Sequence, residues 1–146
     1  RLDADSEGLI LLTNHGEFCQ KVAHPSHGLL KTYRVTLAKR LEPETLKQLT
    51  LGLRDKGDFL KAKSARLISA NNTRSEAELV LADGKNREVR RMFKALGFRV
   101  LRLQRMAVGP VRLGELPLGK WRMLSRAEIT SSLKPRGKSP RPPRRN

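Results

Sequence analysis

Asp3 and Asp5 stand two residues apart near the start of the sequence, with Arg1 beside Asp3. A carboxylate next to an arginine stays ionised and can act as a nucleophile or as a base. The competing reading is structural, because Asp3-Ala4-Asp5-Ser6 has the composition of a polar turn. Tyr33 is the one tyrosine of the chain, and a tyrosine on a strand is by itself a core residue more often than a reactive one. His24 and His27 are three apart across a proline, with no third ligand nearby in sequence, so no metal site is expected. Cys19 reads as a small core residue. Phosphate-loop glycine spacing is absent, and no cofactor is expected.

The elements that must position these residues follow from pattern. Leu9-Ile10-Leu11-Leu12 is a short apolar run that predicts a buried strand. Asn14 with Glu17 three residues later predicts a helix cap and a short helix through Val22-Ala23, followed by a loop over His24–Gly28. Lys31–Leu37 alternates as a half-buried strand, with Tyr33, Val35 and Leu37 on one face. Pro43 opens a helix through about Leu51, and Gly52–Phe59 is turn-rich. Strands are predicted at about Ala62–Ser69 and Ala77–Ala82 around an Asn-Asn-Thr-Arg turn. From Arg87 to Leu96, Val89, Met92, Phe93 and Leu96 form one apolar stripe of a helix. Arg87, Arg91 and Lys94 fall on the opposite face, and Arg90 lies on the border. Gly97 ends that helix, Phe98–Leu103 reads as a strand, and Trp121–Leu124 is expected to close the sheet. Strands mixed with helices, without regular βαβ alternation, predict an α+β fold.

Charge narrows the partner. The 146 residues carry 31 Lys and Arg against 14 Asp and Glu, a net +17; without the six cations after Glu128 the body keeps +11. The excess is therefore not confined to the end of the chain, and a polyanion is the natural partner. Aromatic residues are 4% of the chain, too few for a surface that works by stacking many single-stranded bases. No apolar run reaches the length of a membrane span, no secretory leader is evident, and one cysteine excludes a disulfide framework. A cytoplasmic location is the expectation. Residues 132–146, rich in Pro, Arg, Lys and Ser, are expected to be a basic disordered tail.

The wording of the sequence goes further. Arg1-Leu2-Asp3, then Gly8, the Leu-rich run and Thr13-Asn14-His15-Gly16-Glu17, resembles the signature of the RsuA-like family of ribosomal RNA pseudouridine synthases. Lys31-Thr32-Tyr33-Arg34-Val35 resembles the family's Lys-x-Tyr-x-Val strand. Gly84 through Phe93 resembles its glycine-to-arginine loop and helix, and Gly109-Pro110 through Arg122 follows its closing pattern. The resemblance covers about residues 1–125. It implies the pseudouridine synthase fold, a mixed and mainly antiparallel sheet with flanking helices, with residues 1–131 forming the C-terminal portion of a catalytic domain that begins upstream.

It also implies an isomerase that needs no cofactor. Asp3 matches the aspartate that attacks the target uridine, after which the base detaches, rotates and rejoins the ribose through carbon 5. Tyr33 matches the tyrosine that packs on the base, and Arg90 the basic residue that pairs with the aspartate. Arg1, Lys31, Lys85, Arg87, Arg91 and Lys94 are expected to hold RNA. Arg87-Glu88, where small-subunit members carry His-Gln, resembles the large-subunit pseudouridine synthase B type and points to 23S rRNA. Two rivals remain at this level: a non-catalytic RNA-binding or ribosome-assembly protein using the same basic surface, and a nucleoside hydrolase built on Asp3 and Asp5.

Overall fold

The structure, a computed structural model, describes residues 2–134. In chain order the elements are β1 (Glu7–Gly8), α1 (Gly16–Ala23), a 3-10 turn (Pro25–His27), β2 (Lys31–Leu37), α2 (Pro43–Leu51), β3 (Leu53–Asp55), β4 (Asp58–Leu60), β5 (Ser64–Ala70), β6 (Ser75–Leu81), α3 (Glu88–Ala95), β7 (Val100–Val108), β8 (Val111–Arg112) and α4 (Arg126–Leu133). Six strands form one sheet in the order β1-β7-β2-β6-β5, with β8 paired to β7, and β3-β4 is a separate hairpin. Among the described residues only β1 runs parallel to its neighbour, and every other pairing is antiparallel. This is the expected α+β architecture with a mixed, mainly antiparallel sheet.

The expected face of β2 is buried at Val35 and Leu37, which are fully buried, but the alternation is incomplete, because Thr36 between them is buried too; burying each of the two apolar side chains is worth about 1.5–3 kcal/mol. They meet Leu79 and Leu81 of β6, Leu103 of β7, and Val89, Met92 and Phe93 of α3 in one core. The apolar stripe of α3 therefore lies on the sheet as its spacing requires. α2 occupies the predicted span and buries Leu46 and Leu49. A smaller cluster joins Leu9, Val108 and Val111 to Val22, Leu29 and Leu124.

Several expectations are corrected. Leu9–Leu12 is not a strand: only Glu7 and Gly8 pair with β7, Leu9 is buried, and Leu12 is 85% exposed. Gly8, at φ +100°, permits this pairing, because a Cβ there would run into the carbonyl of Arg105. The cap of α1 is His15, whose Nδ1 accepts from the Phe18 amide at 3.1 Å; Asn14 lies one residue too early. Cys19 is exposed on that short helix rather than part of a core. The turn-rich 52–59 segment is the β3-β4 hairpin, reversed by Lys56 and Gly57 at φ +48° and +83°.

Trp121–Leu124 forms no strand, and Trp121 is 79% exposed. Its neighbourhood ends instead in α4, opened by a reciprocal Ser125–Glu128 capping box whose side-chain oxygens accept from two otherwise unpaired helix-end amides. α4 carries order through Leu133, and Ser132 is buried, its carbonyl bound by His27 Nε2 at 2.7 Å. The segment expected to be a tail is thus helical at its first two residues; 135–146 lie outside the described residues.

Candidate active site

A cleft of about 420 Å³ opens where β2, β6 and β7 meet the N-terminus of α3. Asp3 stands at its rim on the turn that precedes β1, a turn closed by the Ser6 amide donating to the Asp3 carbonyl at 3.0 Å. The polar-turn reading of Asp3–Ser6 and the reactive one are therefore compatible. Tyr33 enters from β2, Arg105 from β7, Glu88 from the first turn of α3, and Lys85, Asn86 and Arg87 from the loop before it. Residues 30 positions apart in sequence, Asp3 and Tyr33, thus face one space.

The cross-strand register places Arg105 opposite Tyr33. Arg105 is buried and its Nε donates to the Leu9 carbonyl at 2.8 Å, while its own carbonyl receives the Leu9 amide. This couples the segment after Asp3 to the strand beneath Tyr33. Burial raises the Tyr33 phenol above its ordinary value, and the charge and hydrogen bond of Arg105 oppose that rise. The negative charge of Asp3 also reaches the phenol and adds to it. Tyr33 is consequently a neutral, protonated ring at neutral pH, suited to packing against a base.

Lys31 sits half-buried at the floor, its ammonium 3.7 Å from where a Cβ on Gly84 would lie. Burial lowers its pKa first, the Arg105 charge adds to this, and Glu88 and Asp83 oppose it. Glu88, 4% exposed, is raised by burial. One of its oxygens accepts from the Lys85 amide at 3.2 Å, which fixes the loop. Arg87 caps α3 in the left-handed region at φ +48°, a conformation that a non-glycine residue adopts at a cost of about 1–2 kcal/mol.

The arginines divide differently from the sequence expectation. Arg90 does not face Asp3: its Nη2 donates to the Asp5 carbonyl at 2.7 Å, and its Nε lies 3.4 Å from the Asp5 carboxylate. The guanidinium within ion-pair distance of Asp3 is that of Arg87, at 3.9 Å, and Arg87 also grips Asp5. The physical reason is the tight Asp3–Ser6 turn, which points Asp5 at the helix and leaves Asp3 facing the cleft. Asp5 is held below its ordinary pKa by the Arg87 hydrogen bonds, and the Arg90 charge adds to this.

Arg91, expected at an RNA-facing surface, is instead engaged by Asp55 and Asp58 of the β3-β4 hairpin. Lys85 binds Asp83 at 2.6 Å at the cleft rim. Lys94 is exposed on the outer face of α3, and Arg1 lies outside the described residues. Sequence reasoning passed over Glu88 and Arg105. Arg105 carried a signal: it keeps the alternation of Leu103 on the buried face of β7, where a cation needs a partner. The histidines are structural, His24 Nδ1 accepting from the Ser26 amide at 3.1 Å.

Comparison with known proteins supplies a family. The model of the RNA pseudouridylate synthase family matches residues 1–95. An uncharacterised RNA pseudouridine synthase of Aquifex aeolicus is 34% identical over 92% of this chain and 54% of its own. The ribosomal large subunit pseudouridine synthase B of Bacillus subtilis is 40% identical over 88% and 54%, and the ribosomal small subunit pseudouridine synthase A of Vibrio parahaemolyticus 34% over 90% and 57%. A crystal structure of a pseudouridylate synthase superposes with a TM-score of 0.79 at 35% identity, covering 90% of this chain and 56% of that one. The chain spans about half the length of these relatives. With the family model matching well over half of it, and relatives above 30% identity along nearly all of it, the chain belongs to the RNA pseudouridylate synthase family.

Proposed function

We propose that this chain provides the reacting carboxylate and the base-packing tyrosine of an enzyme that isomerises a uridine of ribosomal RNA, in the large subunit, to pseudouridine. The observation that carries this reading is the meeting of Asp3 and Tyr33 in one cleft. A uridine in folded RNA is stacked and must be flipped out before its glycosidic bond is reachable. The cleft offers the flipped base an apolar side at Leu81, Val89 and Leu103 and an aromatic ring at Tyr33.

In this reading Asp3 attacks the uridine and forms a bond to it, the bond from N1 to the ribose breaks, the detached base turns and joins the ribose through carbon 5, and the bond to Asp3 breaks to return the free carboxylate. The carbon-5 proton leaves and N1 gains one, so the net reaction is an isomerisation. The partner role expected of Arg90 falls to Arg87, with Arg90 holding the Asp5 turn as a positioning residue. Lys85, Arg87 and Lys94, with Arg1, meet phosphates. The 23S assignment is supported by Arg87-Glu88 in the α3 loop and by the identity to the large-subunit enzyme of Bacillus subtilis.

Tritium release from 23S and 16S rRNA labelled at carbon 5, measured with the protein in its longest native form and its Asp3→Asn variant, tests this. Release from 23S that vanishes in the variant, with RNA binding kept, is the expected result. Binding without release from either RNA makes the protein a binding or assembly factor, and free uracil makes it a hydrolase.

A further inference from the structure

The β3-β4 hairpin has two unlike faces. Its inner face carries Asp55 and Asp58, directly opposed in the ladder. Opposed like charges repel, yet here one cation bridges both. Arg91 Nε donates to Asp55 Oδ2 at 2.6 Å, Nη1 to Asp58 Oδ2 at 2.9 Å, and Nη2 to the Asp55 carbonyl at 2.7 Å. The outer face carries the opposed pair Arg54 and Phe59, with the guanidinium 6.0 Å from the ring centroid. Phe59 is 47% exposed and stands edgewise over Gly52, where a side chain would collide with the ring.

The charge of this hairpin is therefore one-sided. Between Leu51 and Ser64 the acids are Asp55 and Asp58, both consumed by Arg91. The cations Arg54, Lys56, Lys61 and Lys63 are all exposed, and none forms an ion pair among the described residues. An exposed aromatic ring with Arg54 beside it and the exposed Lys56, Lys61 and Lys63 within four residues of it in sequence suits single-stranded RNA, which offers a stacking face on each base and a charge on each phosphate. A protein or lipid partner would need more apolar area than one ring supplies.

Arg91 also fixes where this face lies. The same Nη1 reaches the Asn86 carbonyl at 3.3 Å, and Asn86 lines the cleft. The charge of Asp58 is felt by Lys85 on the cleft rim. The inner face of the hairpin is thus tied through Arg91 to the loop that lines that rim.

We propose that the outer face of the β3-β4 hairpin is a second RNA contact, on which Phe59 stacks a single-stranded base and Arg54, Lys56, Lys61 and Lys63 hold the phosphates of the strand leading into the cleft. This rests on the reading of the cleft as a uridine site. Arg91 is its positioning residue, and its place beneath the hairpin explains why it does not itself face RNA.

The test uses the protein in its longest native form, a fluorescein-labelled 20-nucleotide single-stranded RNA of mixed sequence, and a duplex of equal length. Phe59→Leu keeps apolar cover over Gly52 but removes the stacking ring. It is expected to weaken single-stranded binding about tenfold, while Phe59→Tyr binds as the parent does. Lys56→Ala with Lys61→Ala and Lys63→Ala should reduce the slope of log affinity against log salt by about 0.7 per contact. Crosslinks from 5-bromouridine-substituted RNA should fall on the peptide containing Phe59. Folded Phe59→Leu and triple-lysine variants that bind within about twofold of the parent overturn the proposal, as do crosslinks that avoid the hairpin or a preference for duplex. Tritium release by the parent is scored separately: its absence removes the isomerase reading, while a parent that releases tritium and hairpin variants that bind normally remove this proposal alone.

Discussion

Arg87 grips Asp5 through two parallel hydrogen bonds, Nη1 to Oδ1 at 3.0 Å and Nη2 to Oδ2 at 3.1 Å, across 82 residues of sequence. This fork, with Arg90 on the Asp5 carbonyl, ties the turn that presents Asp3 to the start of α3. Bidentate pairs fix orientation as well as proximity, so Asp5 acts on Asp3 by placing it.

Asp5→Asn is expected to slow tritium release by tenfold or more, since small misplacements of a reacting group are costly, while leaving the melting temperature close to that of the parent because the pair is exposed. A variant as fast as the parent would remove the positioning role. The folded pKa of Asp5 is depressed below 3.8, so its contribution is complete above that value and fades as pH falls below it.

Two glycines separate space from backbone strain. Gly57 has φ +83° with open space around its missing side chain, and Gly8 has φ +100° with the Arg105 backbone against it. Gly57→Ala should therefore cost about 1 kcal/mol. Gly8→Ala should cost more, and it should also lower tritium release by displacing the Asp3 turn. Thermal melts of both variants read the difference; equal losses would mean that close approach to Arg105 is not what Gly8 provides.

Glu128 ties α4 to the chain before it. Its carboxylate accepts from Arg122 Nη2 at 2.6 Å and from the Ser125 amide at 2.7 Å, and these bonds, the arginine's first, pull its pKa down to about 2 from 4.5. A depressed carboxylate stabilises the fold fully above pH 4.5 and loses that contribution as pH falls toward 2. The melting temperatures of the parent and of Glu128→Gln should differ near pH 6 and converge near pH 2. Ser125→Ala, which breaks the same box, should cost about 1 kcal/mol at neutral pH. A difference that stays constant with pH would refute the assignment.

Arg91→Met leaves Asp55 and Asp58 facing each other without a cation. Its melting temperature should fall, and Asp55→Asn with Asp58→Asn in the same chain should restore most of it, because the repulsion disappears with the charges. No recovery would show that the arginine matters through packing alone.

Local pattern determined much of this molecule. Pro43 and Gly52 bracket α2, the alternation of Lys31–Leu37 set the buried face of β2, and the Val89-Met92-Phe93 spacing set that of α3, because each depends on residues within one or two turns of chain. The Arg-Leu-Asp wording carried the family in the same way. Tertiary structure alone decided which arginine meets which carboxylate. Arg87, Arg90 and Arg91 lie within four positions of one another, yet they reach Asp3, Asp5 and the hairpin acids according to how the Asp3–Ser6 turn and β3-β4 pack on α3. Leu9–Leu12 looked like a strand because four apolar residues have the composition of one. Whether they pair depends on a partner edge, and β7 pairs with Glu7 and Gly8, taking from the run only the Leu9 amide. Long-range pairing is a property of the assembled sheet, and no window of sequence contains it.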